Sequence, residues 1–311
     1  MADGGTTDRL ARRHADDPAG DDGATPRISV VIPVLDAAAW LGHQLAALAA
    51  QDVPVPWEVL VADNGSTDET VDVALSWRKD LPLRVVDASE RRGINHARNR
   101  GSAEARGELL LYCDGDDVVH PGWLAAYWRA RGAWDLAGGL VETATLNDDR
   151  ALGLTRQESV RGLSTFGWMQ TFMGCNFAVH RAVHEDIDGF DETFVGGCDD
   201  IDFAFRAQLA GHRLGFVPDA VVAYRLRDSL RGAARQYYAY GRTRARLYRK
   251  FRSRGMPRRS WRHTARTYAL TLYHLPQVLT TDGRARWVVQ AAFLVGMLTG
   301  SVHDHTIYLS E

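Results

Sequence analysis

The segment Leu109-Leu110-Leu111-Tyr112-Cys113-Asp114-Gly115-Asp116-Asp117 decides how this chain reads. An apolar run ends abruptly in carboxylates. A short apolar run bounded by turn residues reads as a strand buried in a parallel sheet. Open α/β sheets keep their ligands just beyond the carboxyl ends of such strands. No basic residue adjoins these acids in sequence, so they would repel one another unless a cation joined them. Oxygen ligands suit Mg²⁺ or Mn²⁺, and Mg²⁺ usually links one or two carboxylates to substrate phosphates. The pattern points to metal-assisted chemistry on a phosphate or diphosphate. The rival reading is a loop rich in Asp for turn and capping reasons. An Asp-x-Asp triplet alone arises often by chance; its place after an apolar strand is what strengthens it.

Outward from this strand, strands and helices alternate. Ile28-Ser29-Val30-Val31-Ile32-Pro33 reads as a strand, and Asp36 as the cap of a helix with Trp40, Leu41, Leu45 and Leu48 at helical spacing. Trp57 to Ala62 is a second strand. The following Asp63-Asn64-Gly65-Ser66-Thr67-Asp68-Glu69 places Ser66 and Glu69 at capping-box spacing. A strand near Leu83 to Val86 and a helix from Asn95 to Ala105 lead into Leu109. Four strands alternating with helices in about 90 residues imply a parallel, doubly wound sheet. Beyond it, Pro121 fits the N1 position of a helix, Leu136 to Val141 a strand, Asn147 to Gly162 a loop, and Asp200 to Ala210 an amphipathic helix. Leu214 to Val217 and Ala220 to Tyr224 read as short strands. After Ser229 the chain reads mainly as helix.

Composition sets the bounds. The chain has 311 residues and a formal net charge of −2, so one large domain or two small ones are expected. Charge is unevenly spread: from Arg225 to Arg266 there are fifteen Lys and Arg against one acid, Asp228. Cys113, Cys175 and Cys198 have no CxxC spacing, which argues against structural zinc and against a disulfide framework. Residues 1–26 lack periodicity and read as a disordered tail. No apolar leader core is present, so a cytoplasmic protein, peripheral at most to the inner face of a membrane, is expected. The uncharged stretch Trp287 to Val302 is shorter than the roughly 20 residues of a spanning helix. It reads as a buried amphipathic helix, with interfacial membrane contact as the rival reading.

Other acids and bases fall at strand ends. Asp63 is either a nucleotide contact or a turn-forming Asx residue. Asp199, Asp200 and Asp202 lie at a helix start, where acids offset the macrodipole. Three acids exceed that need, and a carboxylate near others can acquire the raised pKa of a general base. Asp199 and Asp200 are expected to face the sheet edge, with Asp202 orienting them. Arg91, Arg92 and Arg98 flank Gly93 as candidate diphosphate contacts, Arg91 more plausibly on a solvated face. On a helix from Arg231 to Phe251, Arg231, Arg235, Arg242, Arg246 and Arg249 form a stripe about 60° wide, with Ala233, Tyr237, Tyr240, Leu247 and Phe251 opposite. The aromatic face should pack on the catalytic domain. The arginines suit an anionic partner, a phospholipid surface or a diphosphate-linked acceptor. With no recognised module, nucleic acid is not expected.

Together these residues resemble the family 2 glycosyltransferases, which have the GT-A fold. The matching pieces are Ser29-Val30-Val31-Ile32-Pro33-Val34, Glu58 to Asp68, Gly93 with Ala97-Arg98-Asn99-Arg100-Gly101, Asp114-Gly115-Asp116-Asp117, Gly174-Cys175-Asn176, Gly189-Phe190-Asp191-Glu192, and Asp199-Asp200-Ile201-Asp202 with Arg206. The resemblance implies an α/β GT-A domain over 27–224, divided into a nucleotide-sugar half (27–117) and an acceptor half (118–224), then a basic helical region over 225–311. It implies that Pro33, Asp36, Asp63, Gly93, Arg98 and Asp114 bind the nucleotide sugar. Asp114 and Asp116 would hold Mn²⁺ or Mg²⁺. Asp199-Asp200 stands where the family has Glu-Asp, with Asp200 the general base and inversion the outcome. Many relatives carry a His shortly after the segment matching Val217-Pro218-Asp219-Ala220; here Tyr224 and Arg225 stand there. Arg225 and Asn176 become candidate diphosphate or acceptor contacts, or metal dependence is weaker. The QxxRW motif of processive synthases is absent, which implies transfer of one sugar. UDP is the commonest family donor; a glycan, a lipid-linked saccharide or a small molecule could accept.

Rival readings lose on particular residues. A sugar-phosphate nucleotidylyltransferase would usually open with a Gly-rich loop carrying Arg, where this chain has Pro33-Val34-Leu35-Asp36. A dehydrogenase would need G-x-G-x-x-G after the first strand. An inactive glycosyltransferase-like scaffold, held to anionic membrane by its arginine-rich helix, is the alternative of another class; the acids speak against it.

Overall fold

The computed structural model describes residues 25–155, 159–258 and 260–309. The expected N-terminal tail lies, up to residue 24, outside the described residues. β1 (Ile28–Val34), α1 (Ala38–Ala49), β2 (Trp57–Asp63), α2 (Thr70–Ser76), β3 (Leu83–Asp87), α3 (Ile94–Glu104) and β4 (Leu109–Cys113) form the alternating half. Its strands run parallel in the order β3-β2-β1-β4, because each connection carries a helix back across the sheet. Val34 lies opposite Asp63 and Val31 opposite Tyr112, so the strands finish along one edge. Val30, Ile32, Leu111 and Cys113 enter one core layer; Val31, Leu60, Leu110 and Tyr112 enter the other. Alternating faces covered on both sides explain the unbroken apolar run of β4.

The second half adds β5 (Val118–Val119), α4 (Trp123–Ala130), β6 (Leu136–Glu142), α5 (Asp149–Thr155), β7 (Ser164–Phe166), β8 (Met169–Thr171), β9 (Asn176–His180), α6 (Arg181–Asp186), α7 (Asp199–Leu209) and β10 (Leu214–Ala223). The main sheet has eight strands, ordered β3-β2-β1-β4-β9-β6-β10-β5. β9 runs antiparallel between β4 and β6, while β10 returns parallel to β6. The result is a mostly parallel sheet flanked by helices, a GT-A fold with a helical C-terminal region, as the sequence implies.

Several local expectations change. The helix after β1 is capped by Ala37 without a side-chain bond; Asp36 has φ +50° and holds the neighbouring loop instead. No capping box forms at Ser66, whose Oγ accepts from the Asp36 amide. Pro121 precedes α4 without entering it, because Gly122, at φ +82°, is the cap. The stretch read as a loop contains α5, and β7 and β8 make a separate hairpin. β10 is one strand, with a register shift between Val217 and Val221 at Pro218.

The C-terminal region comprises α8 (Leu230–Phe251), α9 (Trp261–Tyr273) and α10 (Thr281–His303). Ser229 caps α8, its Oγ accepting from the Gly232 amide. Leu247 and Phe251 join Phe194, Ile201 and Phe205 in a core shared with the sheet domain. α8 and α10 touch backbone to backbone: a Cβ at Gly241 would strike the Phe293 carbonyl, and one at Gly300 the Arg242 carbonyl. α10 is longer than its uncharged stretch. Gly283–His303, with a mean hydropathy of 1.3, is long and apolar enough to cross a membrane by length and composition. Here it lies along α8, burying Ala285, Val289, Leu294 and Met297 while Val295, Leu298 and Val302 are exposed.

Candidate active site

β4 ends in Asp114, Asp116 and Asp117, each offering an oxygen within 4.8 Å of the others. Asp117, absent from the sequence-based site, is fully buried; its Oδ1 accepts from the Arg225 amide at 2.8 Å, and its Oδ2 has no protein partner. Burial, then the charges of Asp114 and Asp116, push its pKa well above the usual carboxylate range. An orphaned buried carboxylate oxygen beside two more acids fits a divalent cation, since hard cations take oxygen ligands and neutralise the repulsion. The buried Gln44 holds this loop by donating Nε2 to the Asp114 carbonyl and accepting from the Val119 amide.

The acids are not without basic neighbours, contrary to the local sequence. Arg98, on α3, is 2% exposed; it donates Nη1 to Asp199 Oδ2 at 2.6 Å, and Nη2 to Asp114 Oδ1 at 3.3 Å and to the Gly174 carbonyl. Arg98, expected at the diphosphate, meets these protein partners here. Its fork is occupied in joining the β4 acids to the start of α7. From the end of β10, Arg225 donates Nε to the Asp116 carbonyl and lies 4.0 Å above the Trp40 ring. Arg227, which sequence reading missed, reaches Asp116 Oδ2 at 3.4 Å. Its only sequence signal was membership of the basic run.

Asp200 follows Asp199 in the first turn of α7. Its Oδ2 accepts from the Gly174 amide at 3.0 Å and its Oδ1 from the Ile201 amide. Burial, then the charge of Asp199, raises its pKa to about 6; burial likewise brings Asp114 to about 6 despite Arg98. Gly174 has no room to grow, since a Cβ there would sit 3.2 Å from the Asp200 Cβ and 3.3 Å from Arg98 Nη2. Asp202 does not orient this pair. It points away, bonding Arg206 Nε at 2.7 Å and Lys250 Nζ at 2.6 Å, and so ties α7 to α8.

The nucleotide end is partly assembled. Pro33 and Asp63 finish adjacent strands, Pro33 opposite Ala62. Asp63 is 1% exposed and accepts from the Ser66 amide, three residues on, at 3.2 Å, so its side chain holds the loop that follows β2. Asp36 is exposed, and the Thr67 amide on its Oδ1 lowers its pKa. Gly93 has φ +147°, donates its amide to Asn64 Oδ1 at 2.7 Å, and faces open space where a Cβ would stand. Arg91 pairs with Glu192 on an exposed surface, as its position suggested. Asn176 is the other candidate diphosphate or acceptor contact. It is fully buried, accepting from Trp123 and Tyr127 and donating to the Leu140 and Ala220 carbonyls.

The sheet and the acid cluster at its edge set the class: an α/β protein of the GT-A type with a candidate divalent-cation site at its strand ends. Residues 29–188, just over half of the chain, match the profile of Glycosyl transferase family 2, and residues 109–301 that of Glycosyl transferase family group 2. The chain belongs to glycosyl transferase family 2. Among curated proteins it is similar to "Glycosyltransferase AglE" of Haloferax volcanii, 31% identical over 63% of this chain and 66% of that protein. "Validoxylamine A glucosyltransferase" of Streptomyces hygroscopicus is 28% identical over 60% of this chain and 52% of its own. The chain thus spans between half and two thirds of these relatives. In fold it is similar to "Mannosyltransferase PcManGT from Pyrobaculum calidifontis in complex with GDP-Man and Mn2+", with a TM-score of 0.61, 21% identity, and 94% of this chain and 92% of that one covered. It is also similar to S. aureus TarS 1-349 in complex with UDP-GlcNAc, with a TM-score of 0.50, 18% identity, and coverage of 90% and 92%.

Proposed function

We propose that the protein moves one sugar from a nucleotide-diphosphate sugar, with UDP the first candidate base, to an acceptor hydroxyl with inversion. The observation that carries this is that Arg98 joins the acid cluster, at Asp114, to Asp199 at the start of α7, next to Asp200, whose pKa burial raises to about 6. A carboxylate with that pKa is mostly ionised at neutral pH and can accept a proton. Asp200 takes the acceptor O–H proton as the oxygen attacks the anomeric carbon. The bond from that carbon to the β-phosphate oxygen breaks on the opposite face, and the nucleoside diphosphate leaves. Asp199, bonded to Arg98, is its partner in the catalytic pair, and its charge helps raise the Asp200 pKa. Arg225 and Arg227 stand where the departing diphosphate gathers charge. Asp114, Asp116 and Asp117 would hold Mn²⁺ or Mg²⁺, which supplies charge neutralisation for the leaving diphosphate. The neighbours' complexes with GDP-Man and Mn²⁺ and with UDP-GlcNAc support a donor of this class without choosing its base. The acceptor is a glycan, a lipid-linked saccharide or a small molecule.

The test is thermal stabilisation of the full chain by UDP, GDP and dTDP, each with and without Mn²⁺. A ligand at about 100 times its dissociation constant adds about 2.7 kcal/mol. The reading expects a metal-requiring shift with one nucleotide that disappears in Asp116→Ala. No shift with any nucleotide would sink it.

A further inference from the structure

Ten of the fifteen large apolar side chains that stand strongly exposed among the described residues lie between Trp261 and Ile307. So high a share in one region of the chain points to a contact surface there. Its centre is α9, a 13-residue helix with no buried residue. At 100° per residue, Trp261, Ala265, Ala269 and Leu272 share an arc about 80° wide, and Arg262, Arg266 and Tyr273 border it on one side. Trp261 is 75% exposed, Leu272 69% and Tyr273 77%. The short turn after α9 adds Leu275 and, at 85%, Leu279. The Thr edge of the helix looks toward α10, where the Thr271 carbonyl accepts from Trp287 Nε1 and Tyr268 donates to the Leu294 carbonyl. The apolar arc adjoins that edge and stays exposed, and Arg262, Tyr273 and Arg266 point away from the molecule.

We infer that α9 and the turn that follows it are a docking face for an anionic phospholipid surface. Charge selects that occupant: no Asp or Glu occurs between Asp228 and Asp282, while Arg258, Arg262 and Arg266 lie on or beside α9. Apolar side chains bordered by arginine, with Trp and Tyr at the two ends, match a helix lying in the headgroup plane. Beside the first turn, a cleft of about 520 Å³ lined by Arg258, Ser260 and His263 offers basic and hydroxyl groups to a phosphate headgroup. The arginine stripe of α8 is not this face. Arg246 and Arg249 pair with Asp304, and Lys250 with Asp191 and Asp202, so this end of the helix is tied to the protein itself.

Cosedimentation of the full chain with vesicles tests the assignment. Vesicles of phosphatidylcholine containing about one third phosphatidylglycerol should bind it, release it at high salt, and outcompete pure phosphatidylcholine. Trp261→Ser with Leu272→Ser, and separately Arg262→Glu with Arg266→Glu, should each weaken binding at least about tenfold. Both pairs are exposed, so the nucleotide-induced thermal shift should persist in each, which separates this inference from the transferase reading. Equal binding to both vesicle types, or undiminished binding by both double variants, overturns it. So does a dimer in sedimentation velocity that the serine variant dissolves without any vesicle binding, because a second copy would then cover the face.

Discussion

Asp200 and Arg98 concentrate the chemistry of the site, and each has a measurable consequence. Asp200→Asn removes the proposed base and should lower the rate by about 10²- to 10⁴-fold while nucleotide binding persists. In the unaltered enzyme, the rate should fall as pH drops through about 6, where Asp200 takes up its proton. Stability has the opposite sign. The folded state holds the Asp200 proton up to about 6 and the unfolded chain releases it near 3.8, so this residue's contribution to stability declines as pH rises between those values. Asp200→Asn should therefore flatten the fall in stability between about pH 4 and pH 6, read as melting temperature against pH. Arg98→Met leaves buried carboxylates without their cation and should cost about 3–5 kcal/mol in urea unfolding. The acids were legible in the sequence because three follow one apolar strand. The burial of Arg98 was not, because Ala97 and Arg98 look alike to a helical period until β4 and α7 close around them.

At the scale of elements, glycine decides where helices meet. A methyl group at Gly241 or Gly300 would push on backbone, which cannot rotate away. Gly241→Ala should destabilise the protein by about 1–3 kcal/mol and expose the C-terminal helices to early proteolysis, read as cleavage beyond residue 230 before the sheet domain is cut. The parallel strands and the start of α8 were readable from apolar runs and from Ser229. β9 was missed because its apolar stretch, Phe177-Ala178-Val179, is short and sits between two polar residues. Its place between β4 and β6 is set by pairing across the sheet, which no local pattern encodes.

For the whole molecule, the basic C-terminal region is tied to α7, the helix that carries Asp199 and Asp200. Lys250 bonds Asp191 and the buried Asp202, and Tyr240 lies close enough to Asp200 for that charge to help raise its pKa, after burial. Lys250→Ala should therefore lower both melting temperature and transfer rate, although Lys250 touches no substrate. The loss should be about 3 kcal/mol, for an ion pair broken in the interior. A chain cut after Arg227 should lack the cover over Phe194, Ile201 and Phe205 and fail to give a cooperative melt, as checked by calorimetry.

The sequence by itself determined the alternating half, the acid cluster at its edge and the kinship with family 2 glycosyltransferases, because hydrophobic period and turn chemistry are local properties. Tertiary structure alone decided which charges meet. Arg98 reaches acids 16 and 101 positions away, Asn176 is enclosed by polar partners from three other elements, and Lys250 answers a carboxylate on α7. Ion pairing depends on distance and burial in space, and neither is carried by the spacing of residues along the chain.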